Sequence, residues 1–377
     1  MLSKSKGQDL PELIGQFGVG FYAAFMVADK VVVDTMKRGT GEALRWESDM
    51  SGTYTISDSD RDFPGTSVTL SLREEHDEYF STGRIKDLVQ KYSDFITYPI
   101  TCRDLDIPKD EKEEDRKSRE ENENRPLNTM IALWKRQKKD VKKEEYDEFY
   151  RHLTHDYEQP FEVIPFSGEG QVEFKALIFL PKKPSFELYM PNQKRGLSLY
   201  VRNVFISDDV EMLLPAYMRF VKGVVDSSDL PLNVSREMLQ DDAIIQKIKT
   251  AITSKVLATL EDLKKKDLAR YREFFAAFGS VLKEGVHYDY QNSDRIKKLL
   301  MYPSAKSDPG SRIFLEDYVK SMPQSQKDIY YILAGDEKEA RSLPQLEAAK
   351  KHGFDVILFC DPVDEYLVDS FYQFDSK

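Results

Sequence analysis

Between residues 241 and 263 the apolar side chains Ile244, Ile245, Ile248, Ile252, Val256, Leu260 and Leu263 recur mostly at steps of three and four. That spacing predicts a helix with one buried face. It also predicts helices over 268–282 and 294–301, and a helix plus strand entry over 80–98, where Ile85, Leu88, Val89, Tyr92 and Phe95 carry the stripe. Runs rich in Val, Thr and Tyr occupy 30–36, 43–47, 52–57 and 65–72, with turn residues between them, and predict an antiparallel sheet. A charged amphipathic helix with Tyr146, Phe149 and Tyr150 is expected over 139–155, and strands over 161–165, 171–179 and 197–206. Residues 207–225, with Leu213, Leu214, Tyr217, Phe220 and Val221, read as largely helical. The tail reads helix 313–322, strand 328–334, helix 343–351 and strand 354–360, a small α/β unit. Elements mixed in this way give the fold class α+β with α/β parts.

One stretch can build no core. Of the 18 residues from Pro108 to Arg125, 14 are Asp, Glu, Lys or Arg, and Pro108 alone is apolar. A solvated, flexible linker and a domain boundary are expected there. The chain of 377 residues is 40% hydrophobic, enough for two or three domains with their own cores. Its 55 Lys and Arg against 66 Asp and Glu leave a net charge of -11, which argues against a general nucleic-acid binder. Cys102 and Cys360 lie far apart, so neither a disulfide framework nor a zinc cluster is expected, and a reducing compartment fits. The N-terminal residues do not read as a secretory signal, and the longest mostly apolar run, 17–28, is shorter than the ~20 residues that span a bilayer. No internal repeat, Walker-type, zincin or Cys-x-x-Cys motif occurs. His152 and His155 have ligand spacing on one helix face but no third ligand of matching spacing, so no metal site is expected.

Two places carry candidate chemistry. Gly15, Gly18 and Gly20 precede a helix expected over 21–29. Such glycines make either a tight turn before a core helix or an anion site of backbone N–H groups at the helix start. The second place is the extended run from Leu230, in which Ser235 can cap a helix beginning near Met238. Arg236 then falls in a first helical turn, where the macrodipole disfavours a cation. It is either a solvated surface arginine or a guanidinium that meets an anion from elsewhere, as in phosphoryl transfer. Trp134 reads as a core aromatic or an exposed contact residue, and Thr66 as a β-branched sheet residue.

Residues 226–240, DSSDLPLNVSREMLQ, with 14–22, IGQFGVGFY, and 200–206, YVRNVFI, resemble in content and order the signature of the ninety-kilodalton heat-shock (Hsp90) chaperone family. The likeness spans nearly the whole chain. It implies that residues 1–107 form the later part of an N-terminal ATP-binding domain with its lid segment, a partial GHKL-type α/β sandwich, and that 108–125 form the charged linker. It further implies a large middle α/β subdomain with the catalytic loop over 126–240, a helical connector over 241–302 and a small α/β subdomain over 303–377. The linker is short beside the eukaryotic cytosolic forms, which suits a bacterial-type or organellar relative.

The same resemblance implies ATP and Mg²⁺ as cofactors. The lid amides of Gln16, Gly18, Val19, Gly20 and Phe21 would hold the γ-phosphate, Thr66 would sit in the nucleotide pocket, Arg236 and Gln240 would act in hydrolysis, and Asn233 would order the loop. The family's catalytic glutamate, Mg²⁺-binding asparagine and adenine-binding aspartate have no counterpart in this chain. Client proteins, co-chaperones and a second copy of the full-length chain are the implied partners, with Trp134 a client-binding candidate, no nucleic acid or membrane, and a cytoplasmic or organellar-matrix location. An ATP-independent interaction module, or another ATPase with a split-site glycine loop, would be the alternatives.

Overall fold

The computed structural model describes residues 20–103, 113–168, 170, 172–190, 196–208, 210–230, 243–371 and 373–375. The architecture is mixed α and β with several sheets. The chain divides into two compact units, residues 1–131 with 202–204 and residues 132–201 with 205–377.

Unit 1 is built on an antiparallel sheet of β1 (Ala28–Met36), β2 (Ala43–Ser48), β3 (Thr55–Asp58) and β4 (Gly65–Leu72), in the order β3-β2-β1-β4. The strands expected from the sequence are all present, shifted by a few residues at their ends. Val33 lies opposite both Trp46 and Val68, and Val31 opposite Ser48 and Leu70, so these alternate residues share one face. A 3₁₀ turn over Gly20–Met26 stands where a longer helix was expected, and β1 already begins at Ala28. Phe25 packs there on Ala28 and Val31. The rest of the face is open, with Ile56 61% and Val68 51% exposed.

Helix α1 (Thr82–Tyr92) starts at Ser81, whose hydroxyl accepts from the Arg84 N–H, and is shorter than expected. No strand follows it among the described residues of 93–103. Instead Asn128, 4% exposed, accepts from the Ile100 N–H and donates to the carbonyls of Ile96 and Tyr98, while the Thr129 N–H donates to Asp94. Leu127 N–H also bonds the Ile100 carbonyl at 2.7 Å. The chain on the two sides of the charged stretch is thus tied together, and the division into units falls after it, between Ile131 and Ala132. The stretch expected to lack structure carries helix α2 (Glu113–Glu123). Arg116 to Glu120 and Arg119 to Glu123, at 2.9 and 2.8 Å, are i,i+4 pairs that support a helix without any core.

Unit 2 begins with 3₁₀ turns around Trp134 and continues into α3 (Lys143–Thr154). Its sheet contains β5 (Glu162–Gly168), β6 (Phe174–Leu180), β7 (Leu197–Val201), β8 (Val204–Ser207) and β9 (Lys222–Ser227), in the order β5-β6-β9-β7-β8. The single strand expected over 197–206 is interrupted because Arg202 and Asn203 adopt φ of 52° and 67°, a two-residue turn.

The largely helical reading of 207–225 does not hold. Only short 3₁₀ turns form at Glu211–Leu213 and Ala216–Met218, and the segment ends in β9, the middle strand of the sheet. Pro215 interrupts a helix, Val221, Val224 and Val225 favour extended backbone, and Gly223 adopts φ of 149°. A Cβ on Gly223 would lie 2.3 Å from the Leu177 carbonyl oxygen, so β6 and β9 meet this closely only across a glycine.

Helices α4 (Ala243–Lys266) and α5 (Leu268–Lys283) bury the predicted stripe, including Ile245, Ile248, Ile252, Val256 and Leu260. Helix α6 (Gly285–Tyr288) and α7 (Ser293–Leu299) lead to a two-stranded ladder, β10 (Met301–Tyr302) with β11 (Ile313–Phe314). The tail holds α8 (Leu315–Ser321), β12 (Tyr331–Leu333), α9 (Glu337–Ser342), α10 (Gln345–Lys351), β13 (Ile357–Phe359) and α11 (Asp364–Leu367), with β12 and β13 parallel. Phe220 stacks on Phe278 at 4.9 Å between ring centres, and the core runs without a break from the large sheet through α5 to Phe359.

Inside this core Lys283, 1% exposed, donates to Asp361 at 2.6 Å and to both Asp364 oxygens at 2.8 and 3.0 Å. Burial pushes the Asp364 carboxyl up. At Asp361 burial acts the same way and is the largest single influence, but the charge and hydrogen bond of Lys283, with the charge of Arg312, together hold that carboxyl down. The ammonium ties the end of α5 to the last helix. Lys283→Met, which leaves both carboxylates without their cation, should lower the unfolding free energy by about 3–5 kcal/mol in a urea titration followed by circular dichroism. A loss below the scatter of that titration would show the buried pairs to be unimportant.

Candidate functional site

In unit 1 the described candidates lie on the 3₁₀ turn and on β4. Gly20 opens the turn, and among the described residues a Cβ placed on it would meet nothing within 4 Å. Phe21 is 38% exposed and sets its ring edge-on to Trp46 at 5.4 Å. Its side chain is therefore a packing group, and any ligand contact is left to its backbone. Thr66 lies opposite Thr35 on β1, and the two exposed hydroxyls are 2.8 Å apart. Gln16, Gly18 and Val19 lie outside the described residues.

In unit 2 the candidate loop is held at both ends, by the end of β9 before it and by α4 after it. On β9 Asp226, 4% exposed, accepts from the Trp134 indole N–H at 3.0 Å and pairs with Lys135 at 3.1 Å. Ser227 donates from Oγ to the Glu173 carbonyl at 2.7 Å, and Asp229 accepts from the Glu173 N–H at 2.7 Å. Leu230 is buried in the core. After the loop, α4 starts at Ala243 and anchors at once through Ile245 and Ile248. Asn233, Arg236 and Gln240 lie outside the described residues.

Trp134 belongs to the core, the first of its two readings. The ring is 5% exposed, lies 5.0 Å from Tyr200 and 5.8 Å from Phe149, and spends its one polar group on Asp226. A buried carboxylate needs donors, and the indole N–H is one of those supplied here. Sequence reasoning missed Asp226 as the anchor of the loop's root, since an aspartate in a strand carries no local signal of the indole that will meet it 92 residues away in the chain.

Among the described residues no three His, Cys, Asp or Glu groups are placed to hold a metal ion. Cys102 and Cys360 are free thiols, and burial, with Asp364 and Glu337 adding to it, pushes the Cys360 thiol up to about 11. No described helix is long and apolar enough to cross a membrane.

Comparison with known proteins extends the picture. A family model described as Hsp90 protein matches residues 103–377. The chain is 46% identical to Chaperone protein HtpG of Geobacter sulfurreducens over 100% of this chain and 59% of that protein. It is 45% identical to the protein of that name from Rhodococcus jostii over 97% of this chain and 57% of the relative, and 42% identical to one from Coxiella burnetii over 100% and 59%. The chain therefore spans about 59% of the length of the first of these relatives.

With Trp46→Phe leaving one indole, Trp134 fluorescence should be blue-shifted from that of free indole and several-fold less quenched by acrylamide than a solvent-exposed tryptophan. Trp134→Phe, which removes the donor to Asp226, should cost about 1.5–3 kcal/mol of stability in a urea titration. Ready quenching of Trp134 in the folded protein would return it to the surface.

Proposed function

Because the chain belongs to the Hsp90 family, we propose that it is the later part of the nucleotide domain and the middle domain of an ATP-dependent molecular chaperone, in which a homodimeric clamp acts on client proteins. The observation that carries this reading is the identity of 46% over the whole chain to a relative whose printed name is a chaperone's. The described residues fit a nucleotide as far as they reach. Among the described residues Gly20 leaves its backbone open to a phosphate, and Thr66 presents its hydroxyl on an uncovered face.

Bound ATP with Mg²⁺ supplies the phosphoryl group whose hydrolysis drives the cycle. The chain's own share is positional and electrostatic. The amides of residues 16, 18, 19, 20 and 21 hold the terminal phosphate. Arg236 brings positive charge to it from a loop whose two ends are fixed by Asp226 and α4, Gln240 supports that contact, and Asn233 orders the turn. The remaining catalytic groups belong to the part of the relatives that this chain does not match, so the chain alone binds ATP poorly and does not turn it over. A cytoplasmic location, with an organellar matrix as the other possibility, follows the family.

A second reading, an ATP-independent interaction module, draws on the exposed rings of Phe186 and Tyr157, 85% and 84% accessible in unit 2. Kinetics on the full-length protein separate the two. Arg236→Ala should lower kcat for ATP hydrolysis by ~10²-fold with nucleotide affinity unchanged, as for a group that acts mainly in the transition state. Unchanged turnover removes the arginine from the mechanism. Calorimetry of residues 1–377 with ATP should give no measurable heat of binding, and tight binding there would refute the division of labour.

A further inference from the structure

Unit 2 contains a cavity of about 330 Å³ between the C-terminal end of α3, the segment after β6 and the first residue of β9. Leu188, Phe220 and Phe278 form its apolar wall, while His155, Asp156, Glu158, Lys183, Glu187 and Arg219 bring charge or a titratable ring to it. The other two cations are already committed. Lys183 donates to Glu158, and Arg219 grips Glu284 with two hydrogen bonds of 2.6 and 2.8 Å while also donating to the Leu188 carbonyl.

Lys222 differs from both. Among the described residues no hydrogen bond or ion pair holds its Nζ, although the side chain lines this cavity. Its stem lies across Gly196, where an added Cβ would stand 2.3 Å from the Lys222 Cδ and 3.0 Å from Nζ. Burial holds its ammonium below the usual lysine range, and the opposing field of Glu187 does not reverse this. A charge so placed is costly, and the cost disappears if the nitrogen becomes neutral. A desolvated lysine in an apolar pocket is also the kind that reacts as a nucleophile.

We infer that Lys222 is an acylation site, whose amine takes the acyl group of a small acyl phosphate entering this cavity. The nitrogen lone pair forms the N–C bond to the acyl carbon. The C–O bond to phosphate breaks, its electron pair leaves with inorganic phosphate, and the amine proton goes to solvent. Nothing is oxidised or reduced. The product amide carries no charge in a place that disfavours charge, and the cavity is of the size that holds small ligands. This chemistry is separate from nucleotide hydrolysis and does not depend on it.

The test is incubation of the folded chain with acetyl phosphate, followed by peptide mass spectrometry at successive times and pH values. At neutral pH Lys222 should acetylate roughly tenfold faster than Lys266 and Lys320, whose side chains are 75% and 77% exposed, because its amine is the activated one. The advantage should shrink as pH rises toward 10 and the exposed amines lose their protons. Lys222→Arg should abolish the modified peptide and leave the other rates unchanged. Acetylation of Lys222 no faster than that of the two exposed lysines, or only after unfolding in urea, would overturn the assignment.

Discussion

Much of unit 2 depends on one close contact, the approach of β9 to β6 across Gly223. This strand is antiparallel to β6 and parallel to β7, so it is paired on both edges and buried along nearly its whole length. Upstream, Phe220 enters the aromatic cluster with Phe274 and Phe278 of α5, so the sheet and the helical layer share one core. Downstream, the strand delivers Asp226, Ser227 and Leu230 to fixed positions. A strand held on both edges is a rigid base from which a loop can project, and a functional side chain is placed most reproducibly from rigid elements.

Buried charge in this unit is handled in three ways. Lys283 is satisfied by two carboxylates and joins α5 to α11. Asp226 is satisfied by an indole and an ammonium and secures the end of β9. Both are cases in which the partners together offset the loss of water, so that removing one partner costs more than the pair contributes in net terms. Among the described residues Lys222 has no such partner, and its side chain lines a cavity. The contrast within one sheet and one core sets that lysine apart.

Among the described residues of unit 1, Phe25, Ala28 and Val31 form a buried apolar cluster with Trp46 and Val33 packed beside them, and Val32 and Phe95 are buried as well. The unit also owes cohesion to the β1 ladders with β2 and β4, and to the Asn128 and Asp94 clasps that join the chain across the charged stretch. These are hydrogen bonds largely shielded from water, and they hold the segment without apolar bulk.

The sequence by itself determined the family, through three motifs in order, and it determined most of the elements. The apolar stripe of α4 and the Val- and Thr-rich strands of unit 1 depend on side-chain period, which is a local property and readable in one dimension. Only the tertiary structure decided the rest. Residues 222–227 became a strand because β6 and β7 offered two edges and Gly223 allowed the approach. Residues 113–123 became a helix through side-chain pairs that a composition count does not weigh. Trp134 lies inside among Tyr200 and Phe149, with its N–H on a carboxylate 92 residues away. Each of these outcomes rests on an interaction between distant positions, or on the balance of several weak ones, and such terms appear only when the chain has folded.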